Sequence, residues 1–174
     1  MSNAEIVTSV GLLAVRWAVG IVFIAHGYNH IFGGGKIAGT ASWFAGLGMR
    51  PGWLHAWTAS LTELGAGVLL VLGLLTPLAS AGVIGTMVVA LVTNHLRNGF
   101  FIFRPGEGYE YVVTLIAVGF GLGCVGSGRF SLDHAIGLFD PPNVTGLVIA
   151  AAAGFGGAAL LLLTSWRPER DRAN

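Results

Sequence analysis

Charge is scarce in this chain. Lys, Arg, Asp and Glu make up 10% of 174 residues, against about a quarter in a soluble domain. From Val144 to Leu163 there is no charged residue at all. A helix of that length spans about 30 Å, the thickness of a bilayer's hydrocarbon core. The net charge of +1 gives no electrostatic case for nucleic acid. Cysteine is nearly absent too. Cys124 stands alone, which excludes a disulfide framework, a CxxC pair and an iron–sulfur ligand set. The first residues, MSNAEIVTSV, lack the basic stretch of a secretion signal, so the first apolar segment is expected to be retained.

Apolar runs are abundant, and so is glycine, with 28 residues. In a membrane bundle, small residues let helix backbones approach closely. Hydropathy predicts five spans: about Val10–Ile31, Leu54–Leu75, Leu78–Leu96, Tyr109–Gly126 and Val144–Ser165. Backbone groups in lipid must be satisfied within their own segment, so all five are read as helices. Between the second and third, Thr76 suits an N-cap and Pro77 the first helical position of a tight hairpin. Phe139–Asn143, FDPPN, is a stiff break, and the tail RPERDRAN is expected to fray. In the first loop, Trp43, Phe44 and Leu47 have helical spacing and predict a short interfacial helix. The predicted fold is an all-α integral membrane protein: a four-helix transmembrane bundle plus a fifth C-terminal transmembrane helix.

With five spans, seven of the nine basic residues fall on one side: Lys36, Arg50, Arg97, Arg104, Arg167, Arg170 and Arg172. Arg129 lies on the other, and Arg16 lies within the first helix. The positive-inside rule then places the N-terminus outside and the C-terminus in the cytoplasm.

Polar residues collect toward the same predicted cytoplasmic end. The first helix brings His26 and His30, the second Glu63, the third Asn94 and His95, and the fourth Glu110. Ionisable groups at such depth face a bundle interior and mark either a site or a structural pair. The stripes agree. Arg16, Gly20, Phe23, Gly27 and His30 share one face, small residues surround Glu63, and Glu110, Thr114, Ala117, Gly121 and Cys124 align. The four faces are expected to meet, with His26, His30, Glu63, Asn94, His95 and Glu110 as candidate ligand-binding residues. Two alternatives stand beside that. These groups could serve only as interhelical hydrogen-bonders, or His26 and His30, at i,i+4, could present two imidazoles to one metal. The spacing is common, and no metal is expected. Arg16 and Asp133 are read as structural charges, and Cys124 as a packing residue. Gly121–Gly126, GLGCVG, matches the dinucleotide-binding spacing, but no strand precedes it, so it is read as helix packing. Asn143 begins a glycosylation sequon that matters only in a secretory pathway.

FIAHG, IFGG, WFAGLGM, LTELGAGVLLVLGLLTPLAS, NHLRNGFF, GYEYVVTL and GSGRFSLD follow one another from about Leu12 to Asp133. In order and spacing they resemble the DoxX family of small bacterial membrane proteins. The resemblance implies a four-helix bundle over residues 1–139, with residues 140–174 as an added helix and short cytoplasmic tail. It implies the bacterial plasma membrane as location. It also implies association with membrane oxidoreductases or oxidative-stress handling, and it places His26, Glu63, His95 and Glu110 on recurrent polar positions. His30 departs from the family, which often has lysine there.

Three functions follow as expectations. The first is a redox-associated subunit holding a quinone or other lipophilic ligand in the bundle. The second is a non-catalytic scaffold or assembly factor, and the third is a carrier of a small lipid. The lack of a redox ligand set argues against catalysis by the chain alone, so no cofactor is expected in the chain itself beyond a bound quinone or lipid. Its partners would be the bilayer and proteins of a membrane complex.

Overall fold

The computed structural model describes residues 2–139 and 143–168. The predicted break at Asp140–Pro142, the tail from Glu169, and with it Arg170 and Arg172, lie outside them.

Among the described residues the protein is helical throughout, with no strand. Helix α1 is Asn3–Phe32, 30 residues or about 45 Å. Ser2 starts it with a capping box: its hydroxyl accepts from Glu5 N, and the Glu5 carboxylate accepts from Ser2 N. Helix α2, Lys36–Gly46, is the predicted short helix of the first loop, begun six residues before Ser42. Helix α3 is Gly52–Leu72 and ends at Gly73 in the left-handed conformation. Helix α4, Thr76–Asn98, finishes in a π turn at Leu91–His95 and a 3-10 turn at Leu96–Asn98. Helix α5 is Glu110–Val125, and α6 is the single turn Leu132–Ile136. Helix α7, Val144–Ser165, contains a second π turn at Ala152–Gly156.

Among the described residues four helices are long and apolar enough to cross a membrane: α1, α3, α4 and α7. The fifth span expected from hydropathy, α5, has only 16 residues, about 24 Å, and falls short. With the loop that follows it, it links the two ends of the bundle. Its start is tied to the end of α4, where Tyr109 N donates to Gly99 O and Glu110 N to Phe100 O. Its end lies at the opposite pole, where Arg129 N donates to Ser9 Oγ.

Close backbone approach holds α1 to α3. A Cβ placed on Gly20 would lie 2.7 Å from the Gly67 carbonyl oxygen, and one on Gly67 would lie 2.6 Å from that of Gly20. No larger residue fits that crossing. The core beside it is Val19, Phe23, Ala66, Leu70, Ala79, Val83, Leu115 and Leu122.

The pole opposite the clustered polar residues is fastened by Arg16 and Asp133, both fully buried. Arg16 donates from Nη1 to Leu70 O at 3.0 Å and from Nη2 to Phe130 O. Asp133 accepts from Leu75 N at 2.8 Å and Thr76 N at 2.9 Å. Thr76 is therefore not the N-cap of α4. Leu75 holds that position in a left-handed turn, and a carboxylate 57 residues away caps the helix, while the Thr76 side chain is wholly buried. A side chain arriving from α6 satisfies the orphan amides that a local hydroxyl was expected to take.

Candidate functional site

The polar ends of α1, α3 and α4 converge on a cleft of about 670 Å³. It opens between α3 and α4, α7 forms its third wall through Ala153, Gly157, Ala158 and Leu161, and Trp43 and Phe44 of α2 cover it at the polar end. At the other end it reaches Leu69 and Leu78, near the α3–α4 turn.

Five of the six candidate residues line it: His26, His30, Glu63, Asn94 and His95. Glu63 is the most buried, at 5% exposure. His30 Nδ1 lies 3.1 Å from Glu63 Oε2, within ion-pair distance. Neither atom has a hydrogen bond of good geometry, so both retain bonding capacity. The His30 ring also stands edge-on to Phe44, with centroids 6.5 Å apart. His26 is exposed and borders both the cleft and a side cavity of about 20 Å³. That cavity, bounded also by Glu63 and Tyr111, is large enough for one water.

Asn94 and His95 sit on the π turn, where the widened backbone carries both side chains to the cleft rim. Asn94 Nδ2 and His95 Nε2 are 3.3 Å apart, and His95 Nδ1 is 2.9 Å from Glu107 O. Asn98 donates to the carbonyls of Asn94, Gly106 and Glu107. These bonds fold the loop after α4 back against it and set Glu107 on the rim.

Glu110 is the exception. Its carboxylate accepts from Ile102 N at 3.0 Å and does not line the cleft. The stripe expected to point inward from it, with Thr114 and Ala117, is exposed. The buried face of α5 is Val112, Leu115, Gly119, Leu122 and Gly123. Both faces of α5 are apolar and rich in small residues, so periodicity could not choose between them. The choice falls to fit: Gly119 takes Val83 and Ile84, and Gly123 takes Ala150.

Sequence reasoning missed His55, Thr62, Thr86, Thr93, Glu107 and Tyr111, which also line the cleft. His55 was findable. It stands eight residues before Glu63, on the same helical face with Ala59 between, is 4% exposed and lies 3.3 Å from Arg50 O through Nε2. Among the described residues no Lys or Arg lines the cleft, and no group of three His, Cys, Asp or Glu side chains is placed to hold a metal.

Arg16 and Asp133 lie at the far pole, outside the site. Arg129 there pairs with Glu5 at 3.1 Å.

Residues 11–96 match the DoxX family model. They belong to the DoxX family. This region takes in most of α1, all of α2 and α3, and α4 through Leu96, and with them His26, His30, Glu63, Asn94 and His95. The chain is a membrane protein with several apolar helices that carries a DoxX domain. The rim residues Glu107 and Tyr111, and the α7 wall, lie beyond the DoxX match. No curated protein and no solved structure matches the chain.

Proposed function

We propose that this DoxX protein holds a lipophilic ligand in the cleft between α3, α4 and α7, as the membrane subunit of an oxidoreductase or oxidative-stress complex. The observation that carries the reading is the cleft itself. It has about 670 Å³, within the roughly 300–1,000 Å³ of small-molecule sites. Its polar lining, from His55 to Glu63 on α3 and from Thr93 to His95 on α4, lies toward one end, with Thr86 midway, and the walls beyond are apolar. That division suits an amphiphile such as a quinone or another lipid. A cluster of interhelical hydrogen-bonders would instead be packed solid. The redox association rests on the family resemblance alone, and any electrons would come from a partner protein.

The orientation belongs to the same reading. The described basic residues Lys36, Arg50, Arg97, Arg104 and Arg167 stand at the cleft end, and only Arg129 is exposed at the other. If α5 completes a crossing, the cleft end is cytoplasmic and the N-terminus is outside.

The test is purification from native membranes, followed by mass spectrometry of extracted lipids and of co-purifying proteins. A near-stoichiometric lipid or quinone, lost when Gly157→Leu fills the cleft from a wall position with open space around it, is the expected result. Partner proteins without any retained ligand would favour the scaffold function instead.

A further inference from the structure

We infer that the cleft selects amphiphiles with an uncharged head, bearing a carbonyl or hydroxyl, over those with a phosphate or ammonium head. This rests on the reading of the cleft as a ligand site and narrows what the site would take.

The inference comes from which charges surround the cleft and where the basic residues point. The head end holds a buried carboxylate, Glu63, a second, Glu107, at the rim, and the four imidazoles of His26, His30, His55 and His95, none of them a permanent cation. Among the described residues no Lys or Arg lines it. Lys36, Arg50, Arg97, Arg104 and Arg167 all stand at that end of the bundle, yet each is exposed and none lines the cleft. A phosphate carried into the cleft would lose its water and meet carboxylates without a fixed cation to offset either loss. A cationic head meets a different obstacle. Its own hydration is lost in the apolar cleft, and His30, 3.1 Å from Glu63 Oε2, already stands against that carboxylate.

A neutral head meets neither. His30 Nδ1 and Glu63 Oε2 are close to each other but without a well-formed hydrogen bond, and a carbonyl or hydroxyl arriving there can complete one. The remaining length of the cleft suits hydrocarbon. The hydroxyls of Thr58 and Thr93 donate at 2.8 Å to carbonyls of their own helices, so those hydrogens are not offered to the lumen. Deeper in, the walls are Gly82, Gly85, Ala153 and Gly157, with Thr62 and Thr86 as the polar exceptions, and Leu69 and Leu78 line the far end.

The experiment is native mass spectrometry of the full-length protein, titrated with four probes of similar chain length: dodecanol, decylbenzoquinone, dodecyl phosphate and dodecyltrimethylammonium. We expect both uncharged probes to bind at least about tenfold more tightly than either charged one. Glu63→Gln removes the ionisable carboxyl while keeping the side chain's shape. In that variant the phosphate probe should gain enough affinity to bring the gap below about threefold, with little change for dodecanol. Gly157→Leu, or Ala153→Leu should the first variant lose its fold, should abolish binding of the uncharged probes. Wild-type binding of either charged probe as tight as that of dodecanol overturns the selectivity and leaves the ligand site standing. Absence of binding by all four, or uncharged binding unaffected by a cleft-filling variant that folds, overturns the ligand site as well.

Discussion

Glu63 is the side chain on which the cleft turns. It is 5% exposed, 3.1 Å from His30, and short of one good hydrogen bond. Replacement by Leu removes an acceptor that His30 faces and leaves that imidazole against hydrocarbon, whereas Gln keeps an acceptor and adds a donor. We expect Glu63→Leu to lower stability by about 1–3 kcal/mol and Glu63→Gln by clearly less. Thermal unfolding in detergent measures both, and a Leu variant as stable as wild type would show that Glu63 has no partner to lose. At the opposite pole Asp133 is a capping residue, fully buried and accepting two backbone N–H bonds. Bonds to a charged acceptor are the stronger kind, so Asp133→Ala should destabilise by about 2–3 kcal/mol. Asp133→Asn, which keeps one acceptor, should fall between. Unfolding curves for the three proteins that superimpose would rule out the cap.

At the scale of the helices, the α1–α3 crossing depends on the Gly20–Gly67 contact. Gly67→Leu would place side-chain atoms where the Gly20 carbonyl and Ile24 now sit, while Gly11, with open space around it, is the control. We expect Gly67→Leu to abolish folded, monodisperse protein in size-exclusion chromatography and Gly11→Leu to leave it unchanged. The end of α7 is a second such joint. Arg50 N donates to Ser165 O, Arg167 N to Gly48 O, and Trp166 Nε1 to Leu47 O at 3.0 Å. Trp166→Ala should therefore raise hydrogen exchange at Gly48–Arg50 with little effect at the Arg16 pole. The inward stripes of α1 and α3 were legible in the sequence because a polar or very small residue interrupts each apolar helix at regular intervals: Arg16, Gly20, Gly27 and His30 on one, Ser60, Glu63 and Gly67 on the other. The stripe of α5 was not, since Ala117 and Gly121, off its buried face, are nearly as small as Gly119 and Gly123 on it. The cap on α4 was hidden for another reason. Asp133 is distant in sequence, and only the folded chain brings it to Thr76. The π turn carrying Asn94 and His95 likewise has no mark in the residue pattern.

For the whole molecule, orientation is the property most open to a direct test. Reporters fused after Gly126 and after Asn174 should report opposite faces of the membrane, with the latter cytoplasmic. A periplasmic signal from the Asn174 fusion would mean either that α5, at 16 residues, does not complete a crossing or that the protein is inserted the other way. The blind end of the cleft has a further consequence. Helices α3 and α4 are joined by only Gly73, Leu74 and Leu75, and Asp133 fastens that turn from outside. From Thr93 to Leu78, α4 lines the cleft over about 22 Å, with that turn as its floor. Such a groove is a gauge of chain length. In a homologous series of alcohols, each added methylene should tighten binding until the tail touches that floor. Beyond that point affinity should level off, as the surplus carbons emerge sideways between Leu61 and Leu78, both exposed toward lipid.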